Sequence, residues 1–368
     1  MTGWPDDRIL ALFGIDLPIV QAPMAGPVLG DMVVAVSEAG GLGSLPCALL
    51  TRERTCEELA WIRARTTRPV NLNFFCHQQP TPDAGREARW KAKLAPYYGE
   101  LGLDPQAPQP ASSRAPFDAA SCELVEEFRP EVVSFHFGLP DEALLERVRA
   151  TGSRVIGSAT TVEEARWLAD RGCDAVIAQG VEAGGHRGMF LTADVSTQVG
   201  TFALVPQVVD AVEVPVIAAG GIGDARGIVA ALALGASAVQ LGTAYLFCPE
   251  ARVSPLHRAA LAAATSDGTA VTNVFTGRPA RGMLNRAVRE LGPISDLAPR
   301  FPLAGGALAP LRAASEPGGS ADFMSLWSGQ AAPLGRALAA GELTRRLGAE
   351  ALALLGLICG RLSARRGE

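Results

Sequence analysis

The sequence predicts an α/β chain folded as a (β/α)₈ TIM barrel, with an inserted and appended lid-like region. Three observations carry that prediction. Eight short apolar or β-branched runs recur along the first 250 residues. Helical patterns lie between them, the arrangement of parallel βα units buried on both faces. The chain also holds 40 glycines, many in short runs that flank the apolar segments, where tight turns and close ligand approach need them.

The candidate strands cover residues 18–21, 42–45, 70–74, 132–135, 154–157, 175–178, 215–218 and 238–241. Helices are expected at 161–171 and 224–234, among others. The first opens on Thr161 with Glu164 three residues on, the spacing of a capping box. Eight such units close most naturally into a barrel, whose functional groups sit at the C-terminal ends of the strands. A doubly wound open sheet would place a glycine fingerprint after its first strand. That position here reads Ala22-Pro23-Met24-Ala25-Gly26.

The barrel core is assigned to residues 13–250. Within it, 76–120 is a Pro-, Ala- and Gln-rich excursion between the third and fourth strands. Residues 250–335 form an irregular, substrate-shaping segment with weak periodicity, and long excursions at a barrel's catalytic end are often lids. Residues 336–368 are a C-terminal helix, its pattern running from 334 to 364, expected either on its own barrel or in a homodimer interface. The stretch 227–249 carries no charge and is long enough to cross a bilayer. Gly235, Ser237, Gln240, Gly242 and Thr243 interrupt it, so it reads as a helix followed by a strand, with no membrane partner.

A net charge of −5 and scattered basic residues, apart from a short Arg-containing C-terminal tail, argue against nucleic-acid binding. Seven cysteines are odd in number and lack a CxxC pair. That disfavours a disulfide framework or a metal site, and no metal is expected. No signal peptide is visible. A cytoplasmic location is the expectation.

Ala219-Gly220-Gly221-Ile222 ends the seventh strand, and Gln240-Leu241-Gly242-Thr243 ends the eighth. In a barrel these loops are neighbours, and their backbone N–H groups form the usual phosphate site. Either loop alone would serve equally as a plain tight turn. Gln179, followed by Glu182-Ala183-Gly184-Gly185-His186, ends the sixth strand and is a candidate for hydrogen bonding a flavin ring. His186 would touch ligand or cap local backbone. Asn71 and Asn73 share a face, with Asn73 nearer the barrel mouth. His136, in Ser134-Phe135-His136-Phe137-Gly138, ends the fourth strand, where an imidazole is placed as a base or as a structural residue. His77 and His257 lie in the excursions and are expected on the surface.

Taken in order, Pro18-to-Ala25, Gly40-to-Gly43, Val70-to-Asn73, the His136 motif, Glu182-to-His186 and the two phosphate loops resemble the nitronate monooxygenases, formerly called 2-nitropropane dioxygenases. The His136 setting resembles the histidine-bearing class of that family. The resemblance implies FMN as cofactor, with a nitronate or nitroalkane and O₂ as small-molecule partners. It implies oxidation of alkyl nitronates, such as propionate 3-nitronate, to a carbonyl compound and nitrite without NAD(P)H. His136 would be the catalytic residue, holding the nitronate or taking the α-proton of a nitroalkane. Met24, Asn73, Gln179, Gly184, Gly220, Gly221, Gln240, Leu241, Gly242 and Thr243 would contact FMN. Leu326-Trp327-Ser328-Gly329-Gln330 resembles a family segment that returns to the site. The alternatives are an FMN-dependent enoyl-acyl-carrier-protein reductase and an NADH:quinone reductase, which share the phosphate loops and would use NAD(P)H. The His136 motif argues against both.

Overall fold

The computed structural model describes residues 3–107 and 114–366, with side chains described as far as Cys359. Residues 108–113 of the 76–120 excursion, and the side chains of the Arg-containing tail, lie outside the described residues. In chain order the strands are β1 (Ile19–Gln21), β2 (Gly43–Pro46), β3 (Val70–Phe75), β4 (Val132–His136), β5 (Arg154–Ala159) and β6 (Ala175–Gln179). They continue with β7 (Gly185–His186), β8 (Val216–Ala219), β9 (Ala238–Leu241), β10 (Thr269–Thr272) and β11 (Ala280–Met283). β1 to β6, β8 and β9 form one parallel eight-stranded sheet in which β9 pairs with β1. A single bridge between Val20 and Leu42 joins β1 to β2 and completes the ring. The predicted barrel is what forms.

The helices are α1 (Arg8–Phe13), α2 (Gly30–Glu38), α3 (Arg52–Arg63), α4 (Ala84–Glu100), α5 (Ala119–Phe128), α6 (Glu142–Ala150) and α7 (Val162–Asp170). After them come α8 (Thr201–Val209), α9 (Ala225–Ala233), α10 (Pro255–Ala262), α11 (Arg286–Leu291), α12 (Gly305–Ser315) and α13 (Ala340–Arg366). Strand side chains alternate between two environments, as a period of two requires. Val70, Leu72, Phe74, Val133, Phe135, Val239 and Leu241 join the apolar layer under the helices. Their neighbours Asn71, Asn73, Ser134, His136 and Gln240 therefore face the barrel interior. α1 closes the N-terminal end of the barrel with Ile9 and Phe13, packed on Val132, Ile156 and Ile217. The charge-free stretch resolves into α9, β9 and a 3₁₀ turn. Among the described residues no helix is long and apolar enough to cross a membrane.

The described parts of both excursions hold more regular structure than their composition suggests. α4 supplies Trp90, Leu94, Tyr97 and Tyr98 to a second apolar core, shared with Val288 and Leu291 of α11 and Leu308 and Leu311 of α12. Tyr98 Oη donates to the Ala307 carbonyl at 2.7 Å, and Trp90 Nε1 to that of Ala304 at 3.3 Å. β10, β11 and β7 make a three-stranded antiparallel sheet that ties this cap to the loop after β6. The elements are short and their partners remote, so periodicity within either segment does not announce them. The C-terminal helix packs on the protein's own barrel, against α2 and α9, through Leu343, Leu347 and Ala351.

Thr161 caps α7 as expected, accepting from the Glu164 amide at 3.2 Å. The reciprocal half of the capping box is absent. The Glu164 carboxylate, fully buried, accepts from the Thr160 amide at 2.7 Å, the Thr160 hydroxyl at 2.8 Å and the amides of Phe190 and Leu191. It thereby pins the loop after β6 to the barrel. Glu164→Ala leaves those donors buried without an acceptor, and a stability loss of about 3 kcal/mol is expected by urea unfolding. A loss below about 1 kcal/mol would mean that water replaces the carboxylate.

Candidate active site

A cavity of about 400 Å³ opens at the C-terminal ends of the strands, beneath the cap. Two neighbouring turns form one wall. After β8, Gly220 and Gly221 have φ of +110° and +71°, a region that L side chains rarely adopt. After β9, a Cβ added to Gly242 would meet only Ala22 Cβ at 3.5 Å and Met24 Sδ at 3.6 Å, ordinary contact distances. The protein's own packing thus does not require glycine at 242, and the free space there belongs to the cavity. Segment 326–330 returns over these turns. The Gly329 amide donates to Thr243 Oγ1 at 2.9 Å, and the Gln330 amide to the Glu182 carbonyl at 3.0 Å. A Cβ on Gly184 would lie 2.6 Å from the Ser328 carbonyl carbon, so glycine there lets the returning segment close.

Every cofactor-contact candidate except Leu241 lines the cavity. Leu241 is placed differently. It follows the inward-facing Gln240, so its side chain turns out to the helix layer, and its carbonyl accepts from the Ala22 amide at 2.8 Å. Gln240 Oε1 is buried in the cavity wall with no hydrogen-bond partner among the described residues, and such an atom calls for a ligand donor or water. Asn73 Nδ2 donates to the Ser134 hydroxyl at 3.0 Å and to its carbonyl at 3.2 Å.

His136 is the last residue of β4 and projects into the cavity. Phe137 and Phe75 flank it, with ring centroids at 4.5 and 5.9 Å. Burial pushes its pKa down to about 3; the nearby Arg278 and Arg187 guanidiniums add to this, and a hydrogen bond to the His186 carbonyl at 3.2 Å opposes it. The ring is therefore neutral near pH 7. Phe137 has φ of +72°, costly for a bulky residue, and this turn lays its ring under the Arg278 guanidinium at 3.9 Å.

Three further histidines gather under the cap. His186, left open between two roles, lines the cavity, and burial holds its pKa well below the ordinary value. Its Nε2 meets Thr276 Oγ1 at 3.0 Å. His77 and His257, expected at the surface, are buried, at 4% and 8% exposure. Phe301 covers His77 at a ring distance of 4.8 Å, and His257 Nε2 binds the Trp327 carbonyl at 3.1 Å. The covering residues come from the cap, which sequence reasoning did not resolve. Trp327 and Ser328, in the segment expected to return to the site, line the cavity, and so does Arg114, which was missed.

The family model described as nitronate monooxygenase matches residues 6–350. The chain belongs to the nitronate monooxygenase family. It is 41% identical over 347 residues to a nitronate monooxygenase of Pseudomonas aeruginosa, covering 93% of this chain and 98% of that one. It is 41% identical over 343 residues to one of Paraburkholderia phytofirmans, covering 92% and 93%. Among solved structures, nitroalkane oxidase from Streptomyces ansochromogenes superposes with a TM-score of 0.86 at 38% identity, covering 95% of this nitronate monooxygenase family member and 99% of that chain. FabK from Thermotoga maritima superposes with a TM-score of 0.72 at 26% identity, covering 96% and 98%.

Proposed function

We propose that this protein binds FMN and oxidises alkyl nitronates, propionate 3-nitronate among them, with O₂ to a carbonyl compound and nitrite, without NAD(P)H. The observation that carries the reading is the cavity, which brings the two glycine turns and the unpartnered Gln240 oxygen together with His136, a neutral imidazole that would take the α-proton of a nitroalkane and so form the nitronate. The residues present fit the cofactor. Gln240 offers an unpartnered oxygen to a ring N–H, and Gly242 leaves open space beside Met24. The turns at Gly220, Gly221, Gly242 and Thr243 would take the phosphate, with Asn73 and Gln179 toward the ring. Bound FMN would supply a two-electron acceptor that O₂ can reoxidise.

The charged side chains of the lining are mostly arginines. Among the described residues they comprise Arg114, Arg252 and Arg312 against a single carboxylate, Glu182, which is held by the Thr201 amide and hydroxyl. Arg252 and Arg312 are each paired with a carboxylate outside the lining, Asp31 and Glu316. Seven cysteines, odd in number and without a CxxC pair, fit a cytoplasmic setting.

The test is a flavin spectrum of the purified protein, followed by oxygen uptake with propionate 3-nitronate compared with NADH and NADPH oxidation. Rapid NAD(P)H oxidation without nitronate turnover sinks the reading in favour of a reductase. A second measurement isolates the cofactor site. Gly242→Ala is expected to leave apo-protein stability within about 0.5 kcal/mol while weakening FMN binding by roughly tenfold or more. Unchanged FMN affinity would move the phosphate elsewhere.

A further inference from the structure

We propose that Gln179 is a positioning residue that sets the tautomer of His136, so that Nδ1 is the atom that receives a substrate proton. The inference rests on the reading of His136 as the base at this site. It starts from the turn after β6. The His186 carbonyl accepts two hydrogen bonds, from Gln179 Nε2 at 3.1 Å and from His136 Nε2 at 3.2 Å. A carbonyl oxygen cannot donate, so in the neutral ring the Nε2 atom carries the proton. Nδ1 then keeps the lone pair. It has no hydrogen-bond partner among the described residues, on a ring that lines the cavity, and a Cβ at Gly188 would lie 3.4 Å from it.

The carbonyl that selects this tautomer is itself held in place. Gln179 Oε1 accepts from the Gly188 amide at 2.8 Å while Nε2 donates to His186 O. Turning the amide over would set N–H against N–H and oxygen against oxygen, so its orientation follows from its two partners. Arg187, fully buried, donates to the Gln179 and Gly180 carbonyls and adds a second clamp on the same turn. Gly188 completes the fit, because a Cβ there would lie 3.0 Å from His136 Cε1. Both ends of the Gln179 side chain are thus committed to residues 186–188, with one amide N–H remaining for a ligand.

The consequence separates two substrates. A neutral nitroalkane must lose its α-proton. The C–H bond breaks toward Nδ1, its electron pair passes into the nitro group to leave a nitronate, and the imidazolium holds one proton on each nitrogen. A nitronate supplied as such needs no base. Its negative charge gains nothing from an Nδ1 lone pair, so donors other than His136 must hold it.

Two measurements on the flavin-loaded protein test this. In a ¹⁵N-histidine-labelled sample at pH 7, with His136 assigned by its loss in His136→Asn, the ring is expected as the neutral Nε2–H tautomer. In Gln179→Leu the fixed tautomer is expected to give way to a mixture. The ratio of kcat/KM for nitroethane to that for ethyl nitronate is expected to fall at least about tenfold. The ratio cancels any loss of flavin common to both substrates. An Nδ1–H ring in the wild type overturns the proposal, as does an unchanged ring signal in Gln179→Leu or an equal loss on both substrates. A fixed Nε2–H ring in a protein that turns over neither substrate supports the positioning role and sinks the function proposed above.

Discussion

His136→Asn is expected to lower kcat/KM for a neutral nitroalkane by about 10²–10⁴, the range for loss of a general base. Asparagine keeps a polar group of similar reach at the end of β4 but has no lone pair that accepts a proton near neutral pH. Turnover of the preformed nitronate should fall far less, because that substrate arrives deprotonated. The wild-type pH profile on nitroalkane should show no limb at the ordinary imidazole value, since burial pushes the His136 pKa down to about 3. Steady-state oxygen uptake with both substrates, from pH 5 to 9, reads all three effects. Equal losses on both substrates would reassign His136 to ligand binding or structure.

Acidification from pH 7 to pH 5 is expected to remove about 2–4 kcal/mol of folding stability. Burial depresses His77 to about 4 and His136 to about 3, and holds His186 well below the ordinary value. The unfolded chain takes up protons on these rings near 6.5, whereas the folded chain refuses them until the pH is lower still. The unfolded state therefore binds more protons in this window, so stability falls as pH falls. Each refused proton costs roughly 2 kcal/mol at pH 5, less for His136 and His186, where cavity water screens the charge. Urea unfolding at the two pH values measures it. Equal midpoints and slopes would show that the rings charge within the folded state.

The eight barrel strands were legible because each is a short run buried on both sides, a pattern that survives without knowledge of its partners. The pairing of the Gly220–Gly221 and Gly242–Thr243 turns followed from the closed topology alone. The outward turn of the Leu241 side chain was legible too. Parity along β9 sends Gln240 and Leu241 to opposite faces, and that was available from the sequence. The burial of His77 and His257 was not, because Phe301 and Trp327 that cover them sit far along the chain. Nor did Gln179 announce its partners. Its role emerges only when the turn it holds folds back within 2.8 Å of its own side chain.

The second apolar core has a consequence for synthesis. Trp90 and the backbone of Ala304 that covers it are 214 positions apart. A chain emerging from the ribosome presents Trp90, Leu94 and Tyr97 long before their partners between residues 274 and 323 exist. Barrel strands can pair in order as they appear, but this greasy face of α4 stays bare through most of translation. A nascent chain halted near residue 250 is therefore expected to be a chaperone client, whereas one released after residue 323 can bury that face in its own cap.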